Sequence, residues 1–300
     1  MSKISKNNMP NFYILGAAKS GTTTLYEHLS VHPDIYFPEN KEPQFFCNEE
    51  LFGRGINFYL ETFYKGAEGF KLRGDATPHY LYYEKVAERI KENTGDKPLK
   101  FIVILRDPVY RAYSLYQNMC YEGYDSLSFE EAIEQEADRL SDSELDRLGT
   151  LRYAYVRSGL YADQLQKYLK YFDRDAFHIV FYQDLVKEPE VVLGGIYDFL
   201  GISHSVLSDN RAYNLAGVPR FRWLQSLLRN PVRGKKLLGK LLPHHFKYRI
   251  VTFLLSLNKK NVSYVKINKD TEFLLRQAFQ KDIARLELMT GRNLDEWKAG

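Results

Sequence analysis

The sequence predicts an α/β fold of three layers, with a central, mainly parallel sheet flanked by helices. Three observations predict it. Runs rich in apolar and β-branched residues, "FYIL" (12–15), "LKFIVIL" (99–105) and "FHIVFY" (177–182), alternate with stretches of helical period. Two of these runs pass directly into helix-start chemistry, glycines in one case and Asp-Pro in the other. Third, 300 residues with 44% hydrophobic and 15% aromatic side chains supply a substantial core, assigned to one domain over 11–300. Residues 1–10, "MSKISKNNMP", have no apolar run and are expected to be flexible.

Taken in order, "FYIL" is a short buried strand and Gly21 to Ser30 the helix after it. "FKLRGDA" (70–76) ends another strand, followed by the helical "YEKVAERIKEN". "LKFIVIL" is the strongest strand, and "DPVYRAYSLYQNMC" follows at once as a helix capped by Asp107 with Pro108 in its first turn. "SFEEAIEQEADRL" and "GLYADQLQKYLKYF" are further helices; in the second, Tyr161, Leu165, Tyr168, Leu169 and Phe172 share one face. "FHIVFY" is a strand, and "EPEVVLGGIYDFLGI" a helix ending at Gly201. From Arg220 onward only helices are expected, so 217–300 is taken as a helical C-terminal extension of the same domain.

Charge is unevenly placed. Between Asn210 and Lys269 there are fourteen Lys or Arg and no Asp or Glu, while acids cluster between Glu122 and Asp146. The basic segment suggests an anionic partner from among a nucleotide, a sulfated or uronic glycan, a nucleic acid or a lipid head group; the plain alternative is a solvated helical face. No nucleic-acid partner is expected. The start resembles neither a signal peptide nor an anchor. "IVTFLLSL" (250–257) falls short of the ~20 residues a spanning helix needs. Cys47 and Cys120 form no disulfide framework and no metal-site spacing. A cytoplasmic protein is expected.

Ligands of such sheets bind beyond the carboxyl ends of the strands. The first strand ends in "GAAKSGTT", where glycines let the backbone curl around an anion and the next helix presents its N–H groups. Gly16 and Gly21 have Walker-loop spacing, but Thr22 stands where the lysine belongs, and Lys19 sits inside the loop. The strongest strand ends in "LRDPVYRAYS", where Arg106 with Ser114, two turns beyond the cap, makes a second anion site. Two anion sites suit a ligand with two separate phosphates.

The pair "KSGTTTL" and "LRDPVYRAYSLY" resembles the two cofactor signatures of sulfotransferases that use 3′-phosphoadenosine 5′-phosphosulfate (PAPS). "HPDIYFPENKEPQFF", "GDATPHYL", "GLYADQLQKYLKYF", "VFYQDL" and "TGRNLDEW" extend the resemblance from Asn11 to Trp297, toward the heparan-sulfate-type and bacterial branch. It implies a P-loop-like fold, with PAPS as co-substrate and 3′-phosphoadenosine 5′-phosphate (PAP) as product. It also implies donor-binding roles for Lys19, Ser20, Gly21, Thr22, Thr23, Arg106, Ser114 and Tyr161. Arg220 and Arg222 in "GVPRFRW" would close on the 3′-phosphate. The displaced lysine then makes sense: one 5′-phosphate bearing a less charged sulfuryl group needs a shorter grip than a triphosphate, and no metal is expected. Lys19 would neutralise the bridging oxygen as the S–O bond breaks.

The same resemblance makes Glu42 in "NKEPQFF" the general base for the acceptor hydroxyl, expected to be a carbohydrate or glycolipid. His79 in "DATPHY" is the rival, one place late against a histidine of the cytosolic branch. Where relatives tend to carry a lysine before "TP", this chain has Ala76; Lys41 can supply that charge. Two other classes stay open: a P-loop-type nucleotide kinase, with Asp75 as its weak metal candidate, and a non-catalytic anion-binding module motivated by the basic segment.

Overall fold

The computed structural model describes residues 8–141, 149, 151–204, 217–219, 259–261 and 267–299. These form two compact units. The first holds the described residues up to Arg111, those from Ser158 to residue 204 and those from Arg276 onward; the second holds the rest.

The first unit carries a five-stranded parallel sheet in the order β2-β3-β1-β4-β5. The strands are β1 (Phe12–Gly16), β2 (Ile35–Tyr36), β3 (Leu72–Asp75), β4 (Lys100–Leu105) and β5 (Phe177–Phe181). β1 is buried throughout and β4 from Phe101 onward, so both faces of these strands are covered. That explains why they read as unbroken apolar runs rather than alternating ones. Parallel neighbours need crossovers. Helix α1 (Thr22–Ser30) leaves β1, α2 (Glu49–Gly53) and α3 (Gly55–Phe63) precede β3, and α4 (Val86–Thr94) leads to β4. Leu25 and Leu29, one turn apart, bury one face of α1 against the Ile14 and Ile104 cluster. From β1 the chain runs outward to β2 and β3, then returns across β1 to β4. The carboxyl ends of β1 and β4 therefore sit side by side where the strand order reverses, the place where open sheets bind ligands.

Helix α5 (Pro108–Glu122) starts as its sequence predicts: the Asp107 carboxylate accepts the Val109 N–H at 2.9 Å and Pro108 fills the first turn. The stretch expected as one helix over 128–140 is broken at Gln135 into α6 (Phe129–Glu134) and α7 (Glu136–Ser141). A Ser128–Glu131 capping box starts α6. Two acids of this second unit, Asp125 and Glu136, are structural. Asp125 is buried against Arg139 and the Tyr155 hydroxyl, each 2.6 Å away, and the Glu136 carboxylate accepts the Val156 and Arg157 N–H groups.

Helices α8 (Tyr161–Tyr168), α9 (Tyr182–Lys187) and α10 (Pro189–Leu200) flank β5, and α10 ends at Gly201 in the left-handed region. The expectation of a purely helical tail from 217 needs correction. A short antiparallel pair, β6 (Gly217–Pro219) with β7 (Lys259–Asn261), precedes α11 (Lys269–Thr290) and α12 (Asp295–Lys298). Three-residue strands leave no readable period, which is why they were missed. Asn8 to Pro10, expected to be flexible, are instead buried. The Asn8 amide donates to Glu68 at 2.7 Å and to the Tyr64 carbonyl at 3.3 Å, and the Met9 carbonyl accepts from Arg73.

Candidate active site

The loop between β1 and α1 is shaped by two glycines. Gly16 has φ +149°, and a Cβ there would lie 2.7 Å from the Pro78 carbonyl oxygen. Gly21 has φ +100°, and its Cβ would lie 2.9 Å from the Tyr182 ring. The Walker-like spacing thus records two close approaches. Between them Lys19 takes φ 69°. Among the described residues only Gln44, with φ 56°, is another non-glycine at positive φ. Such strain collects at functional sites. Gly21 is the N-cap of α1, with no capping side chain and no acid in the first turn. The first-turn N–H groups therefore carry the helix's partial positive charge with no side chain set to cancel it. The Ser20 hydroxyl is buried near Tyr161 and makes no hydrogen bond of normal geometry among the described residues. These features fit an anionic 5′ group seated on the loop.

Cations converge on the same loop. Arg106, leaving β4, donates from Nη1 to the Lys19 carbonyl at 3.3 Å and lies 5.0 Å from the centre of the Tyr182 ring. Lys41 donates from Nζ to Thr23 Oγ1 at 2.9 Å and stands 3.4 Å from Glu42 Oε1. Burial lowers the Lys19 ammonium to about 8; Arg106 and Lys41 push the same way and Glu42 opposes them. The site is short of negative charge, which a bound anion would supply.

Glu42 lines an open cleft of ≈ 590 Å³ together with Asn40, Lys41, Pro43, Gln44, Leu51 and Phe63. Its carboxylate is partly exposed, at 31%. His79 is half-buried in the turn after β3 and does not line this cleft. Burial lowers its pKa; Glu42 pulls it back up and Lys41 adds to the lowering. Both candidate bases thus lie within one electrostatic neighbourhood, and only Glu42 faces the cleft.

The remaining expected residues fall in different places. Tyr161 is fully buried under the loop, and its hydroxyl donates to the Arg106 carbonyl at 2.8 Å. Burial raises it to about 12, so it stays a neutral donor. Thr22 opens α1 and is buried. Ser114 is half-buried on α5, in the second unit. Arg220 and Arg222, and most of the basic 210–269 segment, lie outside the described residues. Tyr182, which packs against both Gly21 and Arg106, was not singled out beforehand; "VFYQDL" carried only its position. Asp75, the metal candidate of the kinase alternative, is fully buried with both carboxylate oxygens taken by hydroxyl donors.

A sulfotransferase domain family matches residues 9–216. Heparan sulfate glucosamine 3-O-sulfotransferase 6 of Mus musculus is 30% identical over 233 residues, covering 77% of this chain and 64% of that protein. The membrane-associated sulfotransferase kil1 of Dictyostelium discoideum is 27% identical over 271 residues, covering 65% of this chain and 57% of that protein. The chain thus spans about three fifths of the length of these curated relatives. The crystal structure of a sulfotransferase from Alicyclobacillus acidocaldarius superposes with a TM-score of 0.68 at 26% identity, covering 97% of this chain and 99% of that one. Mouse SULT7A1 complexed with PAP shares the fold, with a TM-score of 0.51 at 16% identity over 96% of this chain and 86% of that one. By domain match, by relatives and by fold, the chain belongs to the family of PAPS-dependent sulfotransferases.

Proposed function

We propose that the protein transfers the sulfuryl group of PAPS to a hydroxyl of a carbohydrate acceptor, with Glu42 as general base. The observation that carries this reading is the meeting of Lys19, Arg106 and Lys41 around the uncapped start of α1, beside a carboxylate that faces an open cleft. Glu42 is favoured over His79 because it lines that cleft. The heparan sulfate 3-O-sulfotransferase relatives support a carbohydrate acceptor.

In the transfer step the acceptor oxygen attacks sulfur, the bond from sulfur to the 5′-phosphate oxygen breaks, and PAP leaves with that bonding pair. The acceptor proton passes to the Glu42 carboxylate and then to water. Glu42 takes the proton late, because an alcohol holds it far more tightly than a carboxylate does in the ground state. Lys19 meets the charge that grows on the leaving oxygen, a contact worth roughly 3–4 kcal/mol when such donors are removed. Lys41, bonded to Thr23 and beside Glu42, is placed to balance charge between donor loop and base. Arg106 holds the 3′-phosphate with Ser114, and Arg220 and Arg222 close over it; the basic segment around them meets an anionic acceptor or a membrane surface. A cytoplasmic location is part of the reading; Cys47 and Cys120 are buried and form no disulfide. Among the described residues no helix is long and apolar enough to cross a membrane.

The experiment is transfer from ³⁵S-labelled PAPS to a panel of neutral and uronic-acid oligosaccharides and glycolipids. Labelled carbohydrate with matching release of PAP is expected. Tight PAP binding with no labelled product would favour an anion-binding module. Binding of ATP–Mg²⁺ in place of PAP would favour the kinase.

A further inference from the structure

The transfer step gives no task to Asp75, the most deeply buried carboxylate among the described residues. Asp75 ends β3 and has no exposed surface. Its Oδ2 accepts from the Tyr59 hydroxyl at 2.6 Å and the Tyr80 hydroxyl at 2.9 Å; its Oδ1 accepts from Thr77 Oγ1 at 2.7 Å. An ionised carboxylate has no proton to give, so all three hydroxyls must donate to it. Thr77 and Tyr80 are then left with only lone pairs for their other neighbours. Those neighbours are backbone N–H groups of the turn that carries Glu42. The Gln44 N–H donates to Thr77 Oγ1 at 3.3 Å, and the Phe46 N–H donates to the Tyr80 hydroxyl at 3.3 Å. Between them stands the left-handed backbone of Gln44, whose carbonyl accepts from the Cys47 and Asn48 N–H groups. A non-glycine in that conformation is strained and persists only where its surroundings hold it.

Charge supports the same polarity. Burial raises Asp75 to about 6 against the pull of its three hydroxyl donors, and Glu42 adds to the rise. The groups that face it, Tyr13, Tyr59, Tyr64, Tyr80, Tyr168 and Cys47, are all raised by burial and remain protonated. The three hydroxyls bonded to Asp75 favour its ionised form against burial, and they are its donors.

We propose that Asp75 is a positioning residue for the base: by making Thr77 and Tyr80 donate to it, it holds the Gln44 turn in the shape that presents Glu42 to the acceptor cleft. This rests on Glu42 being the base, and the variants below separate the two claims.

Asp75→Asn keeps the shape but places an N–H₂ donor where an acceptor stood, so a hydroxyl facing it must accept and its own proton turns away, toward the loop N–H groups. Thr77→Val removes one relay hydroxyl, and Thr77→Ser keeps it. A base displaced by about 1 Å costs up to ~10² in kcat. Asp75→Asn and Thr77→Val are expected to lose kcat on that scale, with PAP affinity within about twofold of wild type. Thr77→Ser should retain most of kcat. In a Glu42→Gln background, Thr77→Val should cost nothing further, because the residue it positions is already disabled. If Asp75→Asn does not fold, the Thr77 pair decides. Full kcat in Thr77→Val beside a slow Glu42→Gln overturns the positioning role and leaves the base in place. An undiminished extra loss from Thr77→Val in the Glu42→Gln background overturns it too. An active Glu42→Gln overturns the base assignment and the positioning role with it.

Discussion

Lys19 makes donor affinity depend on pH in a direction set by its surroundings. An ordinary lysine titrates near 10.5; burial first, then Arg106 and Lys41, bring Lys19 down to about 8 in the unliganded protein. A bisphosphate favours the ammonium and raises it again. Above pH 8, binding must therefore take up a proton, and affinity falls as pH rises. Full recovery of the ordinary value corresponds to roughly 3 kcal/mol of coupling between the Lys19 proton and the ligand. For Kd, that is a weakening of about 20-fold between pH 7.5 and 9.5, with a flat profile below pH 7.5. The ligand's own phosphates, with a second pKa near 6, are already ionised across this range. Isothermal calorimetry with PAP, in buffers of differing protonation enthalpy, reads both affinity and proton uptake. Lys19→Met should bind more weakly at pH 7.5 and lose the slope. A wild-type Kd that is flat from pH 7.5 to 9.5, or an equal slope in Lys19→Met, would refute the argument that Lys19 is the titrating contact.

Arg106→Ala removes a guanidinium fork that phosphate engages in two charge-assisted bonds, so PAP affinity should drop by at least ~10-fold; binding within about twofold of wild type would end the 3′-phosphate assignment. Ser114→Ala should weaken PAP more mildly, by about 1 kcal/mol in titration calorimetry, and no change would make Ser114 a packing residue of α5. Transfer activity should survive excess EDTA, and a loss restored by titrating Mg²⁺ would return the kinase reading.

Much of the fold was legible because burial on both sides of a parallel sheet writes itself as apolar runs. β4 reads from "KFIVIL", and α5 from the Asp-Pro that caps it. β2 has two residues and no period to read. The division between the two units falls at Arg111, inside α5, where neither composition nor a linker marks it. At the site, the loop glycines were readable because two close approaches require them, and Lys19 because it sits inside their Walker-like spacing. The Tyr182 ring was not, since its partners Gly21 and Arg106 come from other strands. The Asp75 relay was hidden for the same reason. Tyr59, Thr77 and Tyr80 converge on it only after α3 and the turn following β3 have packed. From sequence alone Asp75 was only a weak metal candidate of the kinase alternative; the fold makes it an acceptor for three hydroxyls. That Glu42 lines a cleft and His79 does not is something no spacing reveals.

The central claim is that Glu42 removes the acceptor proton while the loop and its cations hold the donor. Its most direct measurement is the rate of ³⁵S transfer by Glu42→Gln at saturating PAPS, with His79→Ala in parallel and PAP affinity measured for both. Glutamine keeps the size and most of the hydrogen bonding of glutamate but cannot accept the proton. The account predicts unchanged PAP affinity for Glu42→Gln with kcat lower by ~10²–10⁴, and most of kcat retained in His79→Ala. An active Glu42→Gln beside an inactive His79→Ala would contradict it and assign the proton to the histidine.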